Sequence, residues 1–169
     1  SIFMPKDKAF LNYARPIWIY VGRVAVEKNI EAFLSLDIPG TKVVIGDGPA
    51  ISELSTRYTE VKFEGYKFGA ELASYTAAGD VFVFPSLTDT FGVVMLEAMA
   101  CGLPVAAFPV TGPRDVVRNG TTGCLNDDLK TAAMNALQLN PQDCTQQASE
   151  YTWEQATRQF IDNLTPARN

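Results

Sequence analysis

At 169 residues, with 47% apolar and 20% charged positions, the chain is long enough to bury roughly 70% of the surface its unfolded form exposes, and its composition excludes the disordered, collagen-like and membrane-spanning classes. A formal net charge of −5, from 14 Lys and Arg against 19 Asp and Glu, argues against broad binding of nucleic acid or anionic membranes, so a phosphate ligand must meet a local concentration of cations. Histidine is absent, which excludes Ser-His-Asp or Cys-His catalysis and imidazole zinc sites within these residues, while three cysteines without a CxxC suggest no disulfide framework and fit a reducing cytoplasm.

Residues 1–16 read as a lead-in segment, and a first residue of Ser1 in place of Met points to part of a longer protein. Runs at 17–21, 42–45, 61–63, 81–84 and 104–108 are short, β-branched or aromatic, and predict strands. They are apolar nearly throughout, as strands covered on both faces are. Helical segments are predicted between them at 27–35, 50–58, 69–77 and 91–100. Strand and helix alternate, which predicts an α/β fold with a doubly wound parallel sheet. After Phe108 the pattern turns helical, over 113–118, 128–139 and 153–164, with Pro141 separating the last two. The whole chain is expected to form one domain, with 142–169 as a helical C-terminal tail. No apolar run reaches 18 residues, because Glu97 interrupts the longest.

In an open α/β sheet ligands bind outside the carboxyl ends of the strands, so the chemistry is sought in the loops that follow them. The first is Gly22-Arg23-Val24-Ala25-Val26-Glu27-Lys28-Asn29. Gly22 lets a ligand approach the backbone; Arg23 offers a planar fork and Lys28 a mobile charge, both suited to phosphate. Solvated surface cations are the alternative, although Lys28 in a first helical turn opposes the helix dipole unless an anion, Glu27 being one candidate, lies nearby. Gly46-Asp47-Gly48-Pro49 is no dinucleotide fingerprint, since Ile51 stands where the third glycine belongs, and it reads as a tight turn with Pro49 opening a helix. Gly65-Tyr66-Lys67-Phe68-Gly69 suits a flat base or an ordinary turn equally.

The stretch from Pro85 to Ala100 is the richest. A helix predicted to start near Thr90 or Phe91 turns its free amides toward the crevice, with Asp89 as N-cap or ligand. Glu97 stands amid Val93, Val94, Met95, Leu96, Ala98 and Met99, and a carboxylate buried there needs a partner. Asp89 and Glu97 lie roughly 12 Å apart along a helix axis, the scale of a sugar, a diphosphate and a ribose end to end. A capping Asp and an unrelated salt-bridged Glu are the alternative. Gly112-Pro113-Arg114-Asp115 reads as capping and packing, Phe10, Tyr13 and Trp153 as packing aromatics, and Asp127, Asp128, Lys130 and Arg158 as solvated faces.

Taken in order, Val21-Gly22-Arg23 through Glu27-Lys28-Asn29, Gly46-Asp47-Gly48-Pro49, Phe63-Glu64-Gly65, Asp89 with Phe91-Gly92 and Leu96-Glu97-Ala98, and Gly102-Leu103-Pro104-Val105 resemble the C-terminal, donor-binding half of retaining glycosyltransferases of family 4, with the GT-B fold. The resemblance covers nearly the whole chain. It implies a Rossmann-like half of a GT-B enzyme that transfers a hexosyl group from a UDP- or GDP-linked sugar. Arg23 and Lys28 would bind the diphosphate, Glu97 the ribose, and Asp89 with the backbone of Thr90, Phe91 and Gly92 the transferred sugar. Val93 and Val94 would present amides to phosphate, and Tyr66 and Lys67 would flank the base. Asp89, Arg23 and Lys28 would thus be the catalytic set. Asp89 departs from the usual pair of glutamates by one methylene.

The family pairs this half with an N-terminal acceptor domain that is absent from this chain, so transfer by the fragment alone is not expected. No metal or other cofactor is expected, and nothing argues for membrane association beyond a peripheral one in the intact protein. A noncatalytic sugar-nucleotide module is the alternative function. An NAD-dependent oxidoreductase is disfavoured by the broken glycine fingerprint.

Overall fold

A computed structural model describes residues 2–88 and 92–151. Asp89, Thr90 and Phe91, Trp153, Arg158 and the helix expected over 153–164 lie outside the described residues. Six strands form one sheet in which every pair is parallel: β1 (Ile17–Val21), β2 (Thr41–Ile45), β3 (Lys62–Gly65), β4 (Val81–Phe84), β5 (Val105–Ala107) and β6 (Gly123–Leu125). Their order is β3-β2-β1-β4-β5-β6, the doubly wound Rossmann arrangement whose strand order reverses between β1 and β4. The helices are α1 (Ile30–Leu34), α2 (Ile51–Arg57), α3 (Gly69–Ala77), α4 (Val93–Ala100), α5 (Thr111–Val116), α6 (Leu129–Ala136) and α7 (Pro141–Glu150).

The apolar runs divide by residue parity, as a pleated strand requires. Trp18, Tyr20, Val44, Val81, Val83 and Ala106 pack with α1, α2 and α6 in one buried cluster. Ile17, Ile19, Val43, Ile45, Phe82, Phe84, Val105 and Ala107 pack with α3, α4 and α7 in the other. Both faces are dry, which explains why the sequence shows no polar alternation. Among the described residues no helix is long and apolar enough to cross a membrane.

Four expectations need correction. The helix predicted over 27–35 is a 3-10 turn at Val26–Lys28 followed by α1, because Asn29 takes a left-handed conformation (φ 52°) between them. The region after Phe108 is not purely helical: Gly123–Leu125 adds β6 to the sheet edge. Pro141 does not merely separate helices but opens α7, whose N-cap Asn140 accepts a bond from the Gln142 amide. Asp128, read as a solvated face, caps α6 by accepting from the Lys130 and Thr131 amides, and the bond it accepts from the Thr131 hydroxyl, with these amides, holds its carboxyl below the usual range.

The lead-in is anchored. Asp80, after α3, accepts two 2.7 Å bonds from Arg15 and one of 2.8 Å from the Ile17 amide, and Lys8 reaches the same carboxylate and the Gly79 carbonyl. Asp80→Ala leaves the first amide of β1 without its acceptor and takes the carboxylate from Arg15 Nη1, while Nη2 keeps the Lys8 and Ala78 carbonyls. A loss of about 2 kcal/mol in folding stability is expected, measured by guanidinium denaturation.

Candidate functional site

The loops after β1, β2 and β3 are knitted by backbone bonds before any side chain is considered. Gly22 donates to Ile45, Val24 to Asp47, Ala50 to Val24 and Gly46 to Gly65, all at 2.9 to 3.1 Å. The contact is so close that a Cβ on Gly46 would stand 1.9 Å from the Gly22 carbonyl oxygen, and one on Gly48 2.2 Å from that of Val24. The Gly46-Asp47-Gly48 turn therefore serves as the floor against which the first loop is set.

Above that floor lies a cleft of about 410 Å³, lined by Gly22, Arg23, Asp47, Tyr66, Phe68 and Glu97 among others. Of the predicted site residues it brings together Gly22, Arg23, Tyr66, Lys67 and Glu97. Arg23 is positioned by the Tyr20 hydroxyl, which donates to its carbonyl at 2.8 Å, and its guanidinium pairs with Glu27 at 2.9 Å. Glu27 was expected as a partner for Lys28 and is found on Arg23 instead, one helical turn away. With both side chains more than half exposed, that pair holds the guanidinium loosely.

Lys28 is half-buried at the end of the 3-10 turn and is not part of the cleft wall. The neighbouring Asn29 amide donates to the Pro85 carbonyl at 3.0 Å, tying this loop to the one after β4 across the point where the strand order reverses. Gly92 is the buried N-cap of α4; Val93 is exposed and Val94 packs against the core, and none of the three lines the cleft. As N-cap, Gly92 has no side chain to offer the amides of the first turn of α4, of which that of Met95 donates to the Gly92 carbonyl.

Glu97 enters the cleft half-buried from the second turn of α4. Among the described residues nothing hydrogen-bonds or ion-pairs its carboxylate, contrary to the partner that burial led us to expect. Desolvation alone pushes its pKa up. The lip of the cleft is aromatic: Tyr66 and Phe68 are each 71% exposed, with rings stacked 6.3 Å apart at 26°. Between them Lys67 turns back to α3, 3.2 Å from Glu71 and 5.0 Å above the Tyr75 ring, and the Glu71 bond raises its pKa. Glu64, at the end of β3, supports this lip by accepting from the hydroxyls of Tyr13 at 2.5 Å and Tyr75 at 3.3 Å; the first bond pushes Tyr13 up to about 12.

Phe3, Asp47 and Leu72 line the cleft and were not singled out as site residues. For Asp47 the signal was present, an acid in the loop after β2; for Phe3 none was, since its place depends on the path of the chain. Among the described residues no group of three or more Cys, Asp or Glu is placed to hold a metal ion.

Residues 15–139 match the family of group 1 glycosyl transferases. A sulfoquinovosyl transferase from Arabidopsis thaliana is 41% identical over 119 residues, 66% of this chain and 23% of that protein. A GDP-mannose-dependent alpha-mannosyltransferase from Mycolicibacterium smegmatis is 43% identical over 115 residues, 67% of this chain and 31% of its own length. Among solved structures, sucrose-phosphate synthase from Thermosynechococcus elongatus aligns with a TM-score of 0.78 at 30% identity, over 96% of this chain and 51% of its own. The chain thus spans less than a third of these two relatives and about half of that solved chain.

Proposed function

The chain belongs to the group 1 glycosyl transferases, as their C-terminal, GT-B-type domain, and from that premise we propose that its cleft is the donor site of a retaining enzyme that moves a hexosyl group from a nucleoside diphosphate sugar to an acceptor. The observation that carries this reading is the meeting of Arg23, Glu97 and the Tyr66–Phe68 lip on one 410 Å³ cavity at the carboxyl ends of the strands. A cation, a hydrogen-bond acceptor and flat apolar surface are the complements of a diphosphate, a ribose diol and a base. The mannosyltransferase relative, by its name, uses a sugar of this class.

In this reading the bond from the anomeric carbon to the diphosphate breaks with negative charge accumulating on the leaving oxygens. The Arg23 guanidinium in the cleft, with the Lys28 ammonium and the amides of Val93 and Val94 at the start of α4, would stabilise that charge. Glu97, whose carboxylate has no hydrogen-bond or ion-pair partner among the described residues, accepts from the ribose hydroxyls. Asp89 would hold the transferred sugar, and departure and attack on the same face would retain configuration. The acceptor belongs to a second, N-terminal domain, and transfer requires both. Calorimetric titration with UDP, GDP and ADP tests the donor site; failure of all three to bind would remove the reading.

Glu97 gives a sharper test. Because burial lifts its folded-state pKa above the unfolded value, Glu97 costs no stability below the ordinary carboxylate range and lowers it as pH rises from that range through the raised value. Glu97→Gln removes that decline. The variant is expected to melt no lower than the parent at pH 7, with a flatter dependence on pH, yet to bind nucleoside diphosphate about tenfold more weakly, since a neutral amide is the poorer acceptor. A variant that melts higher but binds equally well would take Glu97 out of the site.

A further inference from the structure

The segment before β1 runs along the seam between α3 and α4 and ends in the cleft. Its tethers are spaced along its length: Tyr13 on Glu64, the Phe10 ring edge-on to Tyr75 at 5.2 Å, Lys6 on the Ser74 hydroxyl at 3.2 Å, and the Met4 backbone against the Cys101 thiol. Cys101 follows Glu97 by one helical turn on α4. A chain pinned at Cys101 therefore brings its next residue, Phe3, toward Glu97, and the half-buried Phe3 ring forms cleft wall together with Glu97 and Leu72.

The chemistry of that wall selects what lies against it. A phenyl ring and a leucine beside a carboxylate are unfavourable neighbours for an anionic diphosphate, which would be desolvated without a cation and repelled by Glu97. They suit an uncharged part with a flat face and hydroxyls to donate. Resting on the reading of this cleft as a nucleotide-sugar site, we propose that Phe3 is a binding residue of that site, its ring packing on the nucleoside portion of the ligand beside Glu97, so that the segment before β1 is a working wall of the donor pocket. The tethers hold the ring in place before the ligand arrives, which lowers the ordering cost of binding.

The test titrates the chain, with Phe3→Ala and Phe3→Leu beside it, against whichever of UDP and GDP the parent binds better and against inorganic pyrophosphate. Phe3→Ala is expected to weaken the nucleotide about tenfold and to leave pyrophosphate within about twofold, and Phe3→Leu, which keeps apolar volume, to recover part of the loss. Equal nucleotide affinity in parent and Phe3→Ala overturns the inference while the donor site stands. Parallel loss of nucleotide, pyrophosphate and melting temperature also overturns it, by showing a purely structural ring. A parent that binds no nucleotide overturns the donor reading and this inference with it.

Discussion

Arg23→Ala combined with Lys28→Ala is expected to weaken nucleoside diphosphate binding by about a hundredfold or more while altering the affinity for the free nucleoside by less than about threefold. On the proposed donor reading each cation would meet an anionic oxygen, and a hydrogen bond to a charged group contributes about 1.5–3 kcal/mol. Removing two exceeds the roughly 2.7 kcal/mol that a hundredfold requires. Among the described residues Arg23 makes an exposed pair with Glu27, worth under about 1 kcal/mol, so Arg23→Ala alone should retain most of the melting temperature and serves as the stability control. Isothermal titration with UDP or GDP and with the matching nucleoside separates the outcomes. Equal losses for both ligands would show that the loop after β1 shapes the cleft without meeting phosphate.

β1, β2, β4 and β5 were legible because most of each is buried on both sides and so appears as a largely apolar run, of which Val81–Phe84 is the clearest; β3, only partly buried, was read from Val61 and Phe63 around Lys62. β6 is three residues long and begins with Gly123; it is a strand because Val105, Ala106 and Ala107 offer it a register, which no local pattern records. α7 falls within the stretch 142–169 expected to be a helical tail, but its own bounds were not read. Its inward face sets Cys144 and Ala148 beside the buried Gln147, which accepts from the Thr122 hydroxyl and donates to the Val116 carbonyl at 2.6 Å each, so part of its anchoring is polar and weak in a search for apolar periodicity. The break at Asn29 likewise has a distant correlate, since its side chain reaches the Pro85 carbonyl.

The same division holds in the cleft. Gly22, Arg23 and Glu97 could be read from sequence because position after a strand and a carboxylate among apolar neighbours are local signals. The pairing of Glu27 with Arg23 lies beside a 3-10 turn in place of the expected helix, and the arrival of Phe3 depended on a segment tethered to β3, to α3 and to the end of α4. Composition carries no trace of such a path.

Gly46→Ala is expected to lower folding stability by about 3–5 kcal/mol and to abolish nucleotide binding with it. Two costs combine. The residue holds φ at 144°, a region in which a side chain is strained by about 1–3 kcal/mol, and the new Cβ would fall 1.9 Å from the Gly22 carbonyl oxygen, which is backbone and cannot swing aside. Relief requires the loops after β1 and β2 to part, at the expense of the 3.0 Å bond from Gly22 to Ile45 and the 2.9 Å bond from Val24 to Asp47. Any such parting carries Arg23 away from the cleft floor. Gly48→Ala is the informative companion, because its Cβ would meet the Val24 oxygen at 2.2 Å without a φ between +20° and +160°, so it isolates the steric part. Guanidinium denaturation of both variants should therefore rank Gly46→Ala below Gly48→Ala and both well below the parent. A Gly46→Ala chain within about 1 kcal/mol of the parent would mean that the first two loops are not pressed together, and the cleft built on their contact would lose its floor.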